Sequence, residues 1–225
     1  MRSSHPALKA TAVVAIAAAL SAGMATTAQA GKTPKGKPGS TTVTTTVSTT
    51  TTATTIANAQ ATTCATVADY TSCAALTVTI ANQGATGYAG NSSPATSSIT
   101  YNSYYSGSQA DWSNVVAHEV GGHIDAWNEI VAKVGTTQAW TDYYDLDYFG
   151  ALWAAGQWKA VKGTARTFTQ SEGKEAYLDC AGPVAHGFQG NYLYQWGFTT
   201  ATVQKSFCTG SSAVLTNALT QVRPG

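Results

Sequence analysis

The chain has 225 residues, with 12 Lys and Arg against 11 Asp and Glu, and a formal net charge of +1. From about residue 62 onward seven basic side chains face all 11 acids, a balance of about −4, so the slight positive excess belongs to the N-terminal part. With 10% charged residues and no basic patch, nucleic acid is excluded as an expected partner.

The first thirty residues carry the marks of a secretory signal. Arg2 and Lys9 make the start basic, Ala10 to Leu20 is an apolar run, and Ala28-Gln29-Ala30 is an A-x-A-type cleavage site. The run is too short for a bilayer-crossing helix, and no later segment approaches about 20 apolar residues. A secreted, extracellular protein with no membrane span in its mature chain is predicted. Residues 31–61 alternate Lys with Gly and Pro and then become almost all Thr, Val, Ser and Ala. Such composition has no periodic apolar face and reads as a disordered linker or a short propeptide.

Residues 62–225 are long enough for one domain with its own core, expected as a monomer. Leu76 to Ala81 and Ser98 to Tyr105 read as strands, with 82–97 as the turn between them. From Asp111 the spacing becomes helical, with Ser108 or Asp111 as the N-cap, and continues through Ile124, Trp127 and Ile130-Val131. The aromatic-rich segment 137–161 predicts one or two short helices over that helix. Another is predicted from Ser171 to about Ala185, and a last one from Ala213 to Val222. Cys64, Cys73, Cys180 and Cys208 match no thiolate metal pattern and predict disulfides, with the neighbours Cys64–Cys73 and Cys180–Cys208 as the favoured pairs.

The segment His118-Glu119-Val120-Gly121-Gly122-His123 carries the chemistry. In H-E-x-x-H the two histidines are four apart, one helical face presents both to a zinc ion, and the Glu is the base. Here they are five apart, which in a regular helix separates the side chains by about 140°. Gly121-Gly122 would each penalise a regular helix by about 1 kcal/mol. A π-bulge at these glycines would return an i,i+5 pair to one face, and such bulges are frequent at functional sites. A catalytic zinc also needs a third protein ligand. Glu175 and Asp179 stand i,i+4 on a predicted helix, so that one could bind the metal while the other holds the far nitrogen of a ligand histidine.

A histidine-glutamate helix followed by E-x-x-x-D resembles the gluzincin, thermolysin-like metallopeptidases. Ala117-His118-Glu119-Val120-Gly121 and Glu175-Ala176-Tyr177-Leu178-Asp179-Cys180-Ala181 are similar to secreted bacterial proteins of that type. The H-E-x-x-G-H form is shared with dipeptidyl peptidase III-like enzymes. The resemblance covers about 15 residues. It implies His118, His123 and Glu175 as Zn2+ ligands, Glu119 as general base and Asp179 as the group orienting His118. Thr141 to Gly150 faintly resembles the Asp-bearing segment of aspzincins, which makes Asp142, Asp145 or Asp147 the rival third ligand. Asp125 fits a helix face or a supporting position better than a ligand. His186 is the candidate oxyanion donor, with Tyr143, Tyr144 and Tyr177 as others.

The fold class expected is α+β and zincin-like, a small twisted sheet packed on the active-site helix and on a second helix carrying the third ligand. The expected function is zinc-dependent hydrolysis of peptide bonds in protein or peptide substrates. The alternative is a non-catalytic exported domain with a degenerate motif, used for display or binding.

Overall fold

The structure, a computed structural model, describes residues 49–85 and 87–220. The predicted signal and residues 31–48 of the predicted linker lie outside the described residues. The architecture is α+β, with helices gathered around a small mixed sheet.

Helix α1 spans Thr49–Thr66 and corrects the predicted boundary, because residues 49–61 belong to the folded body. Ile56 and Ala59 are fully buried in a cluster shared with the sheet and with Trp112 and Val116. A Thr-rich sequence with so few apolar residues gives no helical pattern of its own, so tertiary contacts decide. The Tyr101 hydroxyl donates to Gln60 Oε1 at 2.5 Å, and Cys64 is joined to Cys73 just beyond the helix.

The predicted strands appear as β1, Thr77–Ala81, and β3, Ser98–Asn102. They are parallel neighbours, with Val78 beside Ile99. The segment predicted as a turn contains a further strand, β2, Gly90–Ser93, which pairs antiparallel with β3 on its other side. Gly-Asn-Ser-Ser carries no β-branched or aromatic residue, so backbone pairing alone makes it a strand. Ile99 and Tyr101 of β3 are buried against the helices, while one edge of β2 is left unpaired among the described residues.

Helix α2, Gln109–Ala117, begins at Ser108, whose Oγ accepts from Asp111 N–H while Asp111 Oδ2 accepts from Ser108 N–H. It runs on through a π-helical segment, His118–Ile124, into α3, Asp125–Val134. A single long helix, α4 (Thr136–Lys162), then replaces the one or two short helices predicted over 137–161. Its apolar face meets α3, with Leu146 and Ile130 fully buried in one cluster.

Helix α5, Gln170–Ala181, starts at Thr169 with the same reciprocal cap, formed with Glu172. Two short helices follow that were not predicted: α6, Asn191–Gln195, and α7, Ala201–Phe207. Helix α8, Ser212–Thr220, completes the described chain. The disulfides are Cys64–Cys73 and Cys180–Cys208, the second tying α5 to the end of α7. Among the described residues no helix is long and apolar enough to cross a membrane.

Helices α4 and α5 touch backbone to backbone. A β-carbon on Gly173 would lie 2.1 Å from Ala151 N, and one on Gly150 would lie 2.5 Å from Gly173 O. This crossing sets the height of α5, and so of Glu175, which lies half a turn beyond Gly173. Gly173→Ala overpacks the crossing, with an expected cost of about 1–3 kcal/mol and a fall in melting temperature of about 3–10 °C. Circular dichroism melting checks this, and an unchanged midpoint would contradict the packing described.

The caps carry an acid dependence. The backbone N–H of Thr169 holds the Glu172 carboxyl below its ordinary 4.5, and the Ser108 side chain holds Asp111 below 3.8. Folded values below the unfolded ones mean the contribution is complete above about pH 4.5 and is lost as pH falls through the folded values. Glu172→Gln, which removes the titrating carboxyl and keeps the Thr169 side-chain cap, should therefore lower stability at pH 7 and flatten the decline below pH 4. Urea titrations at both pH values read this.

Candidate metal centre

The two histidines stand on the π-helical segment, where Asp125 N–H donates to Val120 O, five residues back. One extra residue in the turn brings His118 and His123 onto the same side, with ring centroids 5.0 Å apart. The bulge expected at Gly121-Gly122 is thus present. Local packing shows why glycine is required there. A β-carbon on Gly121 would be 2.3 Å from the Tyr70 ring, and one on Gly122 would be 3.0 Å from Leu178 O. At Gly182, which caps the end of α5, a β-carbon would come within 2.5 Å of Gly122 N.

Helix α5 brings Glu175 and Asp179 to the same rings. His118 Nε2 lies 3.0 Å and His123 Nε2 lies 3.5 Å from Glu175 Oε2. His118 Nδ1 lies 2.8 Å from Asp179 Oδ1. Asp179 is fully buried and also accepts from the backbone N–H groups of Asn191 and Leu193. Those two donors fix the carboxylate, and the carboxylate fixes the His118 ring with Nε2 turned toward Glu175. His123 is held by a different partner, the Tyr143 hydroxyl, 2.7 Å from its Nδ1. Lys174 lies over the Tyr143 ring at 5.4 Å and pairs with Asp147 at 2.8 Å, packing α5 onto α4 at this point.

The donor set can accept a metal ion. One ligand atom from each of His118, His123 and Glu175 falls within 4.8 Å of the other two. Tetrahedral coordination at about 2.0–2.2 Å per ligand sets donors about 3.3 Å apart, close to the two separations seen. The electrostatics agree. Burial alone would lower the His118 imidazolium, but hydrogen bonds to Asp179 and Glu175 outweigh it and hold the ring well above its ordinary 6.5. Burial would likewise raise Glu175, but hydrogen bonds from His118 and His123 hold it well below 4.5. Three carboxylates around two imidazoles demand positive charge, which a divalent cation supplies as well as protons do. Two imidazoles and a carboxylate suit a divalent transition metal such as zinc or iron(II).

Glu119 is buried at the floor of a cleft of about 580 Å³, beside the metal group. Strand β2 forms the opposite wall, and Glu119 packs against Gly90 so closely that a β-carbon there would lie 2.6 Å from Oε1. Exposed Tyr88 and Tyr194 flank the cleft.

The other predicted residues separate. His186 does not line this cleft. It stacks edge-on against Tyr70 at 4.8 Å and lines a smaller pocket behind the π segment, together with Tyr177 and Asp125. The reason is the 3-10 turn Val184–His186 after α5, which reverses the chain away from the metal group. Tyr143 is engaged by His123, and Tyr144 is 59% exposed outside the cleft. Asp142, Asp145 and Asp147 do not join the metal group, and Asp125 accepts from Ser72 N–H at 3.3 Å. The residue that sequence reasoning missed is Tyr192. It lines the cleft with its ring 5.5 Å from that of His118, and burial and then Glu175 hold its hydroxyl protonated well above the usual 10.0. It lies on the short helix α6, whose five residues carry no periodic signal.

No family model, curated protein or solved structure matches this chain. Asp179→Asn, which weakens the support of His118, should lower metal affinity by about 10–100-fold while the chain stays folded. Chelator competition for zinc measures this, and an unchanged affinity would remove Asp179 from the site.

Proposed function

We propose that this chain is an exported zinc peptidase that hydrolyses peptide bonds, on a zincin-like arrangement of a histidine helix, a carboxylate helix and an edge strand. The observation that carries the proposal is the meeting of His118, His123 and Glu175 beside a buried Glu119 in an open cleft. Two disulfides suit an oxidising environment outside the cell and support export.

His118, His123 and Glu175 would hold the ion, and a bound zinc supplies an acidified water and polarises a carbonyl. The Glu119 carboxylate accepts a proton from the attacking water as its oxygen bonds to the peptide carbon. Glu119 then gives that proton to the amine nitrogen as the C–N bond breaks. The Tyr192 hydroxyl, kept protonated by its surroundings, donates to the developing oxyanion.

Strand β2 suits an extended substrate. Ala89 O accepts from Asn102 N–H on the β3 side. Antiparallel alternation then turns the N–H and C=O of Gly90 and Ser92 to the free edge. A peptide pairing with that edge would run along the β2 residues that line the same cleft as Glu119.

Two measurements test the proposal. The purified chain should hold one zinc per molecule by metal analysis and cleave a denatured protein substrate. Glu119→Gln should retain the zinc and lose about 10²–10⁴-fold in activity. A wild-type chain that stays metal-free in zinc-replete buffer defeats the proposal, and a zinc-loaded chain without hydrolysis points to the non-catalytic alternative. Gly90→Val, which displaces Glu119 without touching a ligand, should likewise keep the metal and lose activity.

A further inference from the structure

The π-helical turn meets a second structure on its far side. The disulfide Cys64–Cys73 closes a tight loop in which Tyr70 N–H donates to Val67 O and Cys73 N–H donates to Tyr70 O. This loop touches both ends of the π segment. At the beginning, the buried Tyr70 ring covers Gly121, and its hydroxyl donates to Gly182 O at 3.1 Å, with Ala117 O at 3.5 Å from the same oxygen. At the end, Ser72 N–H donates to Asp125 Oδ1 at 3.3 Å. His186 meets the Tyr70 ring in an edge contact, with ring centroids 4.8 Å apart. Tyr70 thus ties the end of α5 to the start of the π turn, joining the two elements that carry the metal group.

From this we infer that the Cys64–Cys73 loop is a clamp that maintains the π turn, and that Tyr70 is a positioning residue for the metal group, so that metal affinity depends on an oxidised disulfide that itself contributes no ligand. The inference rests on the metal reading given above. Its physical basis is the spacing of the histidines. Regular α-helical winding between residues 118 and 123 would swing the His123 ring about 100° around the axis, away from Glu175. Tyr70 occupies the space beneath Gly121, and its hydroxyl fixes the α5 end against which Gly122 packs. The widened turn is thus held from both sides. With the loop opened by reduction, the side facing Tyr70 is released while α5 remains tied by Cys180–Cys208.

The test uses the full chain loaded with zinc or with cobalt(II). Chelator competition gives the affinity, the cobalt absorption spectrum reports the ligand geometry, and thermal melting monitors folding. Tyr70→Leu should weaken zinc by about 10–100-fold and alter the cobalt spectrum in a chain that still melts cooperatively. Cys64→Ser/Cys73→Ser should move both readouts in the same direction. Tyr70→Phe keeps the ring and should lie between Tyr70→Leu and the wild type. A folded Tyr70→Leu chain with wild-type affinity and spectrum overturns the clamp. Should Tyr70→Leu fail to fold, Tyr70→Phe decides: unchanged affinity and spectrum overturn the inference, and a loss of about tenfold supports it. A wild-type chain that binds neither ion is a separate result, which removes the metal reading itself.

Discussion

The backbone of Gly121 and Gly122 runs between the Tyr70 ring on one side and the Leu178–Gly182 end of α5 on the other, with no room for a side chain at either position. This confinement is the constraint on which the rest depends. A helix carrying one residue too many for regular winding must place that residue somewhere. Here the excess is absorbed in a widened turn whose two faces are both occupied. The histidines then share a side, and the helix that limits the turn is the one that delivers Glu175 and Asp179.

Asp179 extends that economy to the opposite wall. One buried carboxylate orients His118 through Oδ1 and collects the N–H groups of Asn191 and Leu193, the residues on either side of Tyr192. The metal group and the tyrosine facing it are therefore referred to a single anchor. Gly190 permits this, because a β-carbon there would lie 2.8 Å from Asp179 Oδ2. Such sharing keeps the relative placement of His118 and Tyr192 insensitive to small movements of the sheet.

What the sequence revealed follows from the range of the forces involved. The histidine segment, the double glycine and the i,i+4 pair Glu175/Asp179 are local patterns, and the structure unites them in the expected sense. The flanking strands were legible from their Thr, Ile and Tyr content, and the disulfide pairs from proximity in the chain. Strand β2 was not legible, since Gly90 to Ser93 owe their conformation to β3 rather than to their own preferences. Helix α1 was hidden for a related reason, because a Thr-rich stretch becomes helical only when Ile56 and Ala59 find a core supplied by distant residues. His186 illustrates the limit of counting along the chain: eleven residues from Glu175, it is carried by one 3-10 turn to the back of the site.

Helix α1 also bears on where the chain can be cut without loss of its core. Its buried residues, together with Gln60 bonded to Tyr101, make it a structural wall beneath the sheet that forms the cleft. Cleavage within Thr49–Thr66 would therefore remove part of the core and not a dispensable leader. A maturation cut compatible with this fold has to fall before the helix begins, which confines any removable segment to the residues upstream of it.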